Sequence, residues 1–130
     1  MWTNQSETVG KIAIALITAS KDFEAIKKTA DNPFHKSKYA KLEHIIESIN
    51  PVLHENDLTI IQAPITTDGD SVGIQTILLH SSGEWLADDG LVITAQDKGG
   101  KVNAQTYGSS LTFARRYALA AFLNLIQEDD

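Results

Sequence analysis

Apolar positions along this chain follow a helical period at both ends and a strand period in the middle. Val9, Ile12, Leu16, Ala19, Phe23, Ile26 and Ala30 are spaced as on one helix face. They predict a first helix that opens at Ser6 as N-cap and runs to Asp31-Asn32-Pro33, where proline cannot continue the ladder. Ala13, Ile14 and Ile17 add a second apolar strip, which suits either ordinary core or packing between subunits. Leu42, Ile45, Ile46, Ile49, Val52 and Leu53 mark a second helix with Glu43, Glu47 and Glu55 turned to solvent. Pro51 falls inside that pattern, and either kinks the helix or opens a new turn behind Asn50.

The period then changes. LTIIQAPI, SVGIQTILLH and EWLADDGLVI are short runs rich in β-branched residues, separated by TTDGD and SSG. Asp68-Gly69 and Ser82-Gly83 carry hairpin-turn chemistry, so the runs predict a three-stranded antiparallel meander. Gly73, Gln75, Ile77 and Leu79 of the middle run become apolar towards its end, so part of the outer sheet face is expected to be covered as well, by a helix or by a neighbouring subunit. After the basic turn AQDKGGK, residues 101–125 read as one long helix. Its core stripe is Tyr107, Leu111, Ala114, Ala118, Ala121 and Leu125. The layout is α+β: an N-terminal helix, a second helix, a three-stranded antiparallel meander and a long C-terminal helix packed on the sheet.

Composition narrows the class. At 130 residues and 42% hydrophobic, the chain has the size and apolar content of one globular domain. No apolar run approaches the roughly 20 residues that span a bilayer, and MWTNQSETVGK lacks the basic-then-apolar order of a signal peptide. A soluble intracellular protein without a membrane partner is the expectation. With no cysteine, disulfides and thiolate metal sites are excluded. His44 and His54 lack the partners of a metal site and read as structural or exposed.

The net charge of −6 argues at first against a nucleic-acid partner. Its distribution reverses the argument. Residues 21–41 hold six lysines against three acids, residues 42–97 hold ten acids and no lysine or arginine, and residues 98–117 hold Lys98, Lys101, Arg115 and Arg116 with no acid. Two basic segments bracket an acidic middle, and a fold that joins them makes a local groove of positive potential. The alternative is a solvated surface with patchy charge.

Both basic segments carry suitable chemistry. In FHKSKYAK the aromatics Phe34 and Tyr39 alternate with Lys36, Lys38 and Lys41. That interleaving suits single strands, where cations meet phosphates and rings stack on bases. The alternative for the rings is anchoring a loop to the core. On the long helix, Lys101, Gln105, Ser109, Thr112 and Arg116 form an acid-free polar stripe. Arg115 borders it, and adjacent guanidinium groups suit phosphate oxygens. The alternative for Arg115 is a salt bridge to an acid such as Glu84 or Asp88.

Catalytic readings find little support. Glu84, Asp88, Asp89 and Asp97 with Lys98 are the nearest approach to a metal-dependent nuclease. Asp88 and Asp89 point to opposite faces of a strand, however, so the set does not converge locally. DKGGK has neither the spacing nor the hydroxyl of a phosphate-binding loop, and no HExxH or nucleophile elbow occurs.

GSSLTFARRYAL resembles the signature of the Erf (essential recombination function) family of phage single-strand annealing proteins. NPFHKSKYAKLEHIIESINPVLHENDL resembles the family's Phe/Lys/Tyr segment and following helix, HSSGEW its central hairpin and QEDD its acidic end. The matches cover roughly the last hundred residues in the expected order. The resemblance implies ATP-independent, non-enzymatic binding of single-stranded DNA and annealing of complementary strands, with no cofactor. It implies an oligomer, ring or helical filament, in the cytoplasm of a bacterial host. A host single-strand binding protein or a phage exonuclease is the expected protein partner. Residues 1–130 would be one Erf-type core domain, and family members usually extend past this point. The competing reading is an assembly module whose arginines make subunit salt bridges while DNA binds elsewhere.

Overall fold

The computed structural model describes residues 4–28, 30–31, 38–96 and 99–129. In chain order the elements are α1 (Gly10–Ser20), β1 (Ile26–Lys28), β2 (Ala30–Asp31), β3 (Lys38–Tyr39), α2 (Leu42–Glu55), β4 (Leu58–Ile65), β5 (Ser71–His80), β6 (Trp85–Ala87), β7 (Leu91–Thr94), α3 (Ala104–Phe122) and β8 (Gln127–Asp129). This is the expected α+β class, built on a mainly antiparallel sheet with three helices.

The sheet is organised on β5, buried from Val72 to Leu78. β4 lies antiparallel along one edge, in register from Leu58↔His80 to Ile65↔Gly73. The other edge departs from the expected three-stranded meander. EWLADDGLVI is not one strand but two, β6 opposite Ile77–Leu79 and β7 opposite Ser71–Ile74. Asp88 is the physical reason. Its Oδ1 accepts from the Thr76 N–H at 3.0 Å and from the Gly90 N–H at 3.0 Å, so a side chain replaces a strand carbonyl in the ladder. Gly90 then takes φ +95, a conformation that strand geometry forbids to most residues.

One β5 face carries Ile74, Thr76 and Leu78. Leu78 joins a core with Ile12, Ala15 and Ala19 of α1, Ile45, Ile49 and Leu53 of α2, Leu58 of β4, and Leu119 and Leu123. Ile74 packs with Ala114 and Ala118 of α3, supported by Leu91, Ile93 and Leu111. On the other face, Gln75 and Ile77 are also buried, at 2% and 1% exposure. The expected cover over that face is thus present within the chain.

α1 is shorter than its periodicity predicts. It ends at Ser20 rather than near Ala30, and Ile26, assigned to the same helix face, lies in β1. The cause is a partner distant in sequence. β1 pairs parallel with β8, Ile26↔Gln127 to Lys28↔Asp129, and the Ile26 N–H donates to the Ile126 carbonyl at 2.8 Å. A strand with that partner satisfies the backbone as well as a helix would, and the spacing of apolar residues cannot register it. β2 and β3 form a further short antiparallel pair that the sequence pattern did not predict.

The expected cap is also displaced. Ser6 is not the N-cap of α1; Val9 occupies that position and makes no side-chain cap bond. Ser6 instead accepts the Trp85 N–H at its Oγ at 2.9 Å, extending the sheet beside β6. The orphan amides at the helix start are served from across the fold. Glu84 Oε1 accepts from the Ile12 N–H at 2.8 Å, and its Oε2 accepts from the Thr8 hydroxyl at 2.7 Å. These bonds, the Ile12 amide first, hold the Glu84 carboxyl below the usual carboxylate range.

α2 runs unbroken through Pro51, so neither a separate turn nor a second cap forms there. α3 covers residues 104–122 rather than 101–125. Ala121 is exposed and Leu125 lies beyond the helix end, because the chain turns at Leu123 and Asn124, where φ is +54, into β8. None of the described helices is long and apolar enough to cross a membrane.

Two predictions follow from this packing. Leu78→Ala removes a fully buried side chain shared by all three helices and should lower unfolding free energy by about 2–5 kcal/mol in urea titrations. A carboxylate with a depressed folded-state pKa stabilises above its unfolded pKa, and that contribution disappears as pH falls through the folded value. The wild type should therefore lose more thermal stability between pH 7 and pH 3 than Glu84→Gln. Parallel melts of the two proteins at each pH measure that difference.

Candidate nucleic-acid interface

α3 begins at a reciprocal cap. Asn103 Oδ1 accepts from the Thr106 N–H at 3.0 Å, and Thr106 Oγ1 accepts from the Asn103 N–H at 2.8 Å. Ala114 and Ala118 then lie against the sheet at 0% and 6% exposure. Small side chains there bring the helix close to β5 and fix its rotation. With about 100° between successive residues, the two adjacent arginines must leave the helix in different directions.

Arg115 turns towards β4. Its Nε donates to Gln62 Oε1 at 3.2 Å, while Gln62 Nε2 donates to the Arg115 carbonyl at 3.0 Å and to Thr76 Oγ1 at 3.1 Å. The salt-bridge partners proposed for Arg115 from sequence are engaged elsewhere. Glu84 caps α1, and Asp88 holds the break between β6 and β7. Among the described residues, neither Arg115 nor Arg116 pairs with a carboxylate.

Arg116 turns the other way, over aromatic rings. Its guanidinium carbon stands 4.4 Å from the Tyr39 centroid, 5.4 Å from Phe113 and 5.5 Å from Tyr117. Phe113 and Tyr117, one helical turn apart, stack at 4.4 Å between centroids with 29° between planes. Both are open to solvent, at 44% and 54% exposure. A cation over one ring beside an exposed pair of rings is the chemistry that grips a single strand, phosphate by charge and base by stacking.

Two recesses share the Tyr39–Arg116 wall. One, about 370 Å³, is bounded by Tyr39, Lys41, Leu42, Glu43, Thr112 and Arg116. The other, about 150 Å³, is bounded by Lys28, Tyr39, Arg116, Tyr117 and Gln127. Of the residues expected from sequence to touch DNA, the structure therefore gathers Tyr39, Lys41, Thr112 and Arg116. Gln105 and Ser109 are exposed on the helix towards its N-terminal end, and Lys101 lies just ahead of the Asn103 cap. Arg115 stands apart on the β4 side. Lys38 contributes to β3 by its backbone, and its side chain lies outside the described residues, as do Lys36, Lys98 and Phe34.

Among the described residues, the nuclease set does not assemble. Glu84 and Asp88 are spent on backbone amides, and Asp97 and Lys98 lie outside the described residues. No group of three or more His, Asp or Glu side chains among the described residues could hold a metal ion.

Four residues of this surface were not singled out from sequence: Phe113, Tyr117, Lys28 and Gln127. The first two carried a signal. They are aromatic, spaced i and i+4, and fall off the Leu111–Ala114–Ala118 core stripe. Lys28 carried none and Gln127 only its place in QEDD, because the β1–β8 pairing that brings them together joins segments far apart in sequence.

A family model, the ERF superfamily, matches residues 12–130. No curated protein and no solved structure matches.

The unlike placements of the two arginines predict unlike stabilities. Arg115→Ala removes a bond between α3 and β4 and should cost about 1 kcal/mol of unfolding free energy. Arg116→Ala, on the solvent side, should change it by about 0.5 kcal/mol or less. Urea denaturation followed by circular dichroism measures both.

Proposed function

Because the chain belongs to the ERF superfamily, we propose that it binds single-stranded DNA along the exposed face of α3 and anneals complementary strands in phage or prophage recombination. The observation that carries this reading is Arg116 held over Tyr39 beside the exposed Phe113–Tyr117 stack. The exposed Gln105, Ser109 and Thr112 extend this polar face over about 16 Å of helix, and Lys101 adds charge ahead of it.

The mechanism requires no bond-making. Cations at Lys41 and Arg116 neutralise phosphate repulsion, and rings hold bases out of register with solvent. Two strands presented in this way pair by their own base complementarity. No nucleotide hydrolysis enters, and the activity is binding rather than enzymatic. In a bacterial cytoplasm the protein would work on strands exposed by a phage exonuclease or coated by a host single-strand binding protein.

A second surface supports self-assembly into a ring or helical filament. Ile14 and Ile17 of α1 are 71% and 59% exposed on the side away from the core. Isolated apolar residues on a surface are common, but two on adjacent turns of one helix form the start of a contact. On the competing reading, this assembly is the main role and the arginines are subunit contacts.

Fluorescence anisotropy of labelled oligo-dT across a salt series separates the two. The wild type should bind with a steep negative log–log slope. Phe113→Ala/Tyr117→Ala should weaken binding by about tenfold or more at one salt concentration, as expected for lost base stacking. Arg116→Ala should lower both affinity and slope. Light scattering should show all variants assembled as the wild type is. If Arg116→Ala instead dissociates the assembly, or the wild type binds no oligo-dT at low salt, the DNA reading is wrong.

A further inference from the structure

The two recesses on either side of Arg116 differ in chemistry. The larger carries the apolar Leu42, the Thr112 side chain and the carboxylate of Glu43 beside Lys41. Among the described side chains, the smaller has no acid in its wall. It is lined by Lys28, Arg116, Gln127, Tyr39 and Tyr117. Two cations converging with neutral donors, in a space too small for a base and its sugar, form a seat for one tetrahedral oxyanion.

We infer that the Lys28–Arg116–Gln127 recess seats one backbone phosphate of the bound strand, making β1 and β8 part of the nucleic-acid site. The inference rests on the DNA reading above and assigns a role to Lys28, which no sequence motif marks, and to Gln127 at the start of QEDD. Its geometry is consistent with the neighbouring rings. Tyr117 belongs both to the recess wall and to the Phe113 stack, so a phosphate in the recess leaves its base next to the exposed rings.

The seat exists because β1 and β8 pair. Lys28 is the last residue of β1, and Gln127 opens β8 opposite Ile26. Lys27 and Glu128 pair at 2.9 Å, both well exposed, on the neighbouring positions of the same two strands. That ion pair leaves Glu128 satisfied by Lys27, away from the recess wall. Alternation along β1 puts Lys27 and Lys28 on opposite faces. Lys27 thus pairs with Glu128 while Lys28 lines the recess.

The test uses the full chain and labelled oligo-dT. Lys28→Ala should raise Kd about tenfold at low salt and reduce the magnitude of the log–log salt slope by about 0.7, one phosphate contact on a single strand. Lys28→Gln should lose the same slope while keeping side-chain length. Gln127→Ala should weaken binding with the slope unchanged, since it removes a neutral donor. Lys27→Ala, at the neighbouring ion pair, should leave the slope as in the wild type. Thermal melts establish that each variant is folded. If Lys28→Ala and Lys28→Gln keep the wild-type slope and Kd while Phe113→Ala/Tyr117→Ala loses binding, the phosphate sits elsewhere. The recess assignment then fails and the DNA reading stands. A wild type that binds no oligo-dT overturns both.

Discussion

The close seating of α3 on β5 is the constraint from which the rest of the surface follows. Ala114 and Ala118 present only methyl groups to Ile74, so helix and sheet approach without a layer of large side chains between them. Once those two positions face the sheet, the helical period leaves no freedom to the others. Arg115 and Leu119 must lie towards α2 and β4, and Phe113, Arg116 and Tyr117 must lie towards Tyr39. A larger residue at Ala114 would lift or rotate the helix and scatter the constellation.

The sheet in turn is held by polar groups that substitute for backbone. Asp88 takes a rung of the ladder at Thr76, and Glu84 takes the orphan amide of Ile12. Both acids come from the run between residues 84 and 89, the densest acidic segment of the middle region. Their negative charge is consumed in building the fold. This is one reason a chain of net charge −6 can keep an acid-poor face on the opposite side of α3. Gln62 plays the neutral counterpart, bridging Thr76 on β5 to Arg115 on α3. These contacts are short-range and specific, and they hold the outer face of α3 in place.

The division of labour between the adjacent arginines illustrates what a pair of identical residues can conceal. Both carry the same charge and both read as phosphate ligands. One is tied by its Nε to a glutamine between two elements, and the other is propped over a ring with its edge open. Cation–π contact orients the guanidinium plane without consuming its hydrogen-bond donors. That arrangement suits the anion-binding role proposed for Arg116.

Much of this was legible in the amino-acid order. The helical periods of α2 and α3, the hairpin at Asp68-Gly69, the basic segments and the polar stripe through Thr112 and Arg116 depend on residues within a few positions of one another. Local periodicity and turn chemistry report such relations directly. Phe113 and Tyr117 were legible too, as apolar residues off the core stripe. The end of α1 at Ser20, the split of the last sheet strand at Asp88 and the convergence of Lys28 with Arg116 and Gln127 were not. Each depends on a partner supplied by tertiary contact: β8 for β1, the Thr76 amide for Asp88, the Tyr39 ring for Arg116. A hydrogen-bonding group is satisfied equally well by a near or a distant partner, and the pattern of apolar residues does not distinguish them. Sequence alone determined the buried face of α2 and the middle of that of α3; the tertiary structure decided which exposed charges meet, because that depends on how the elements pack.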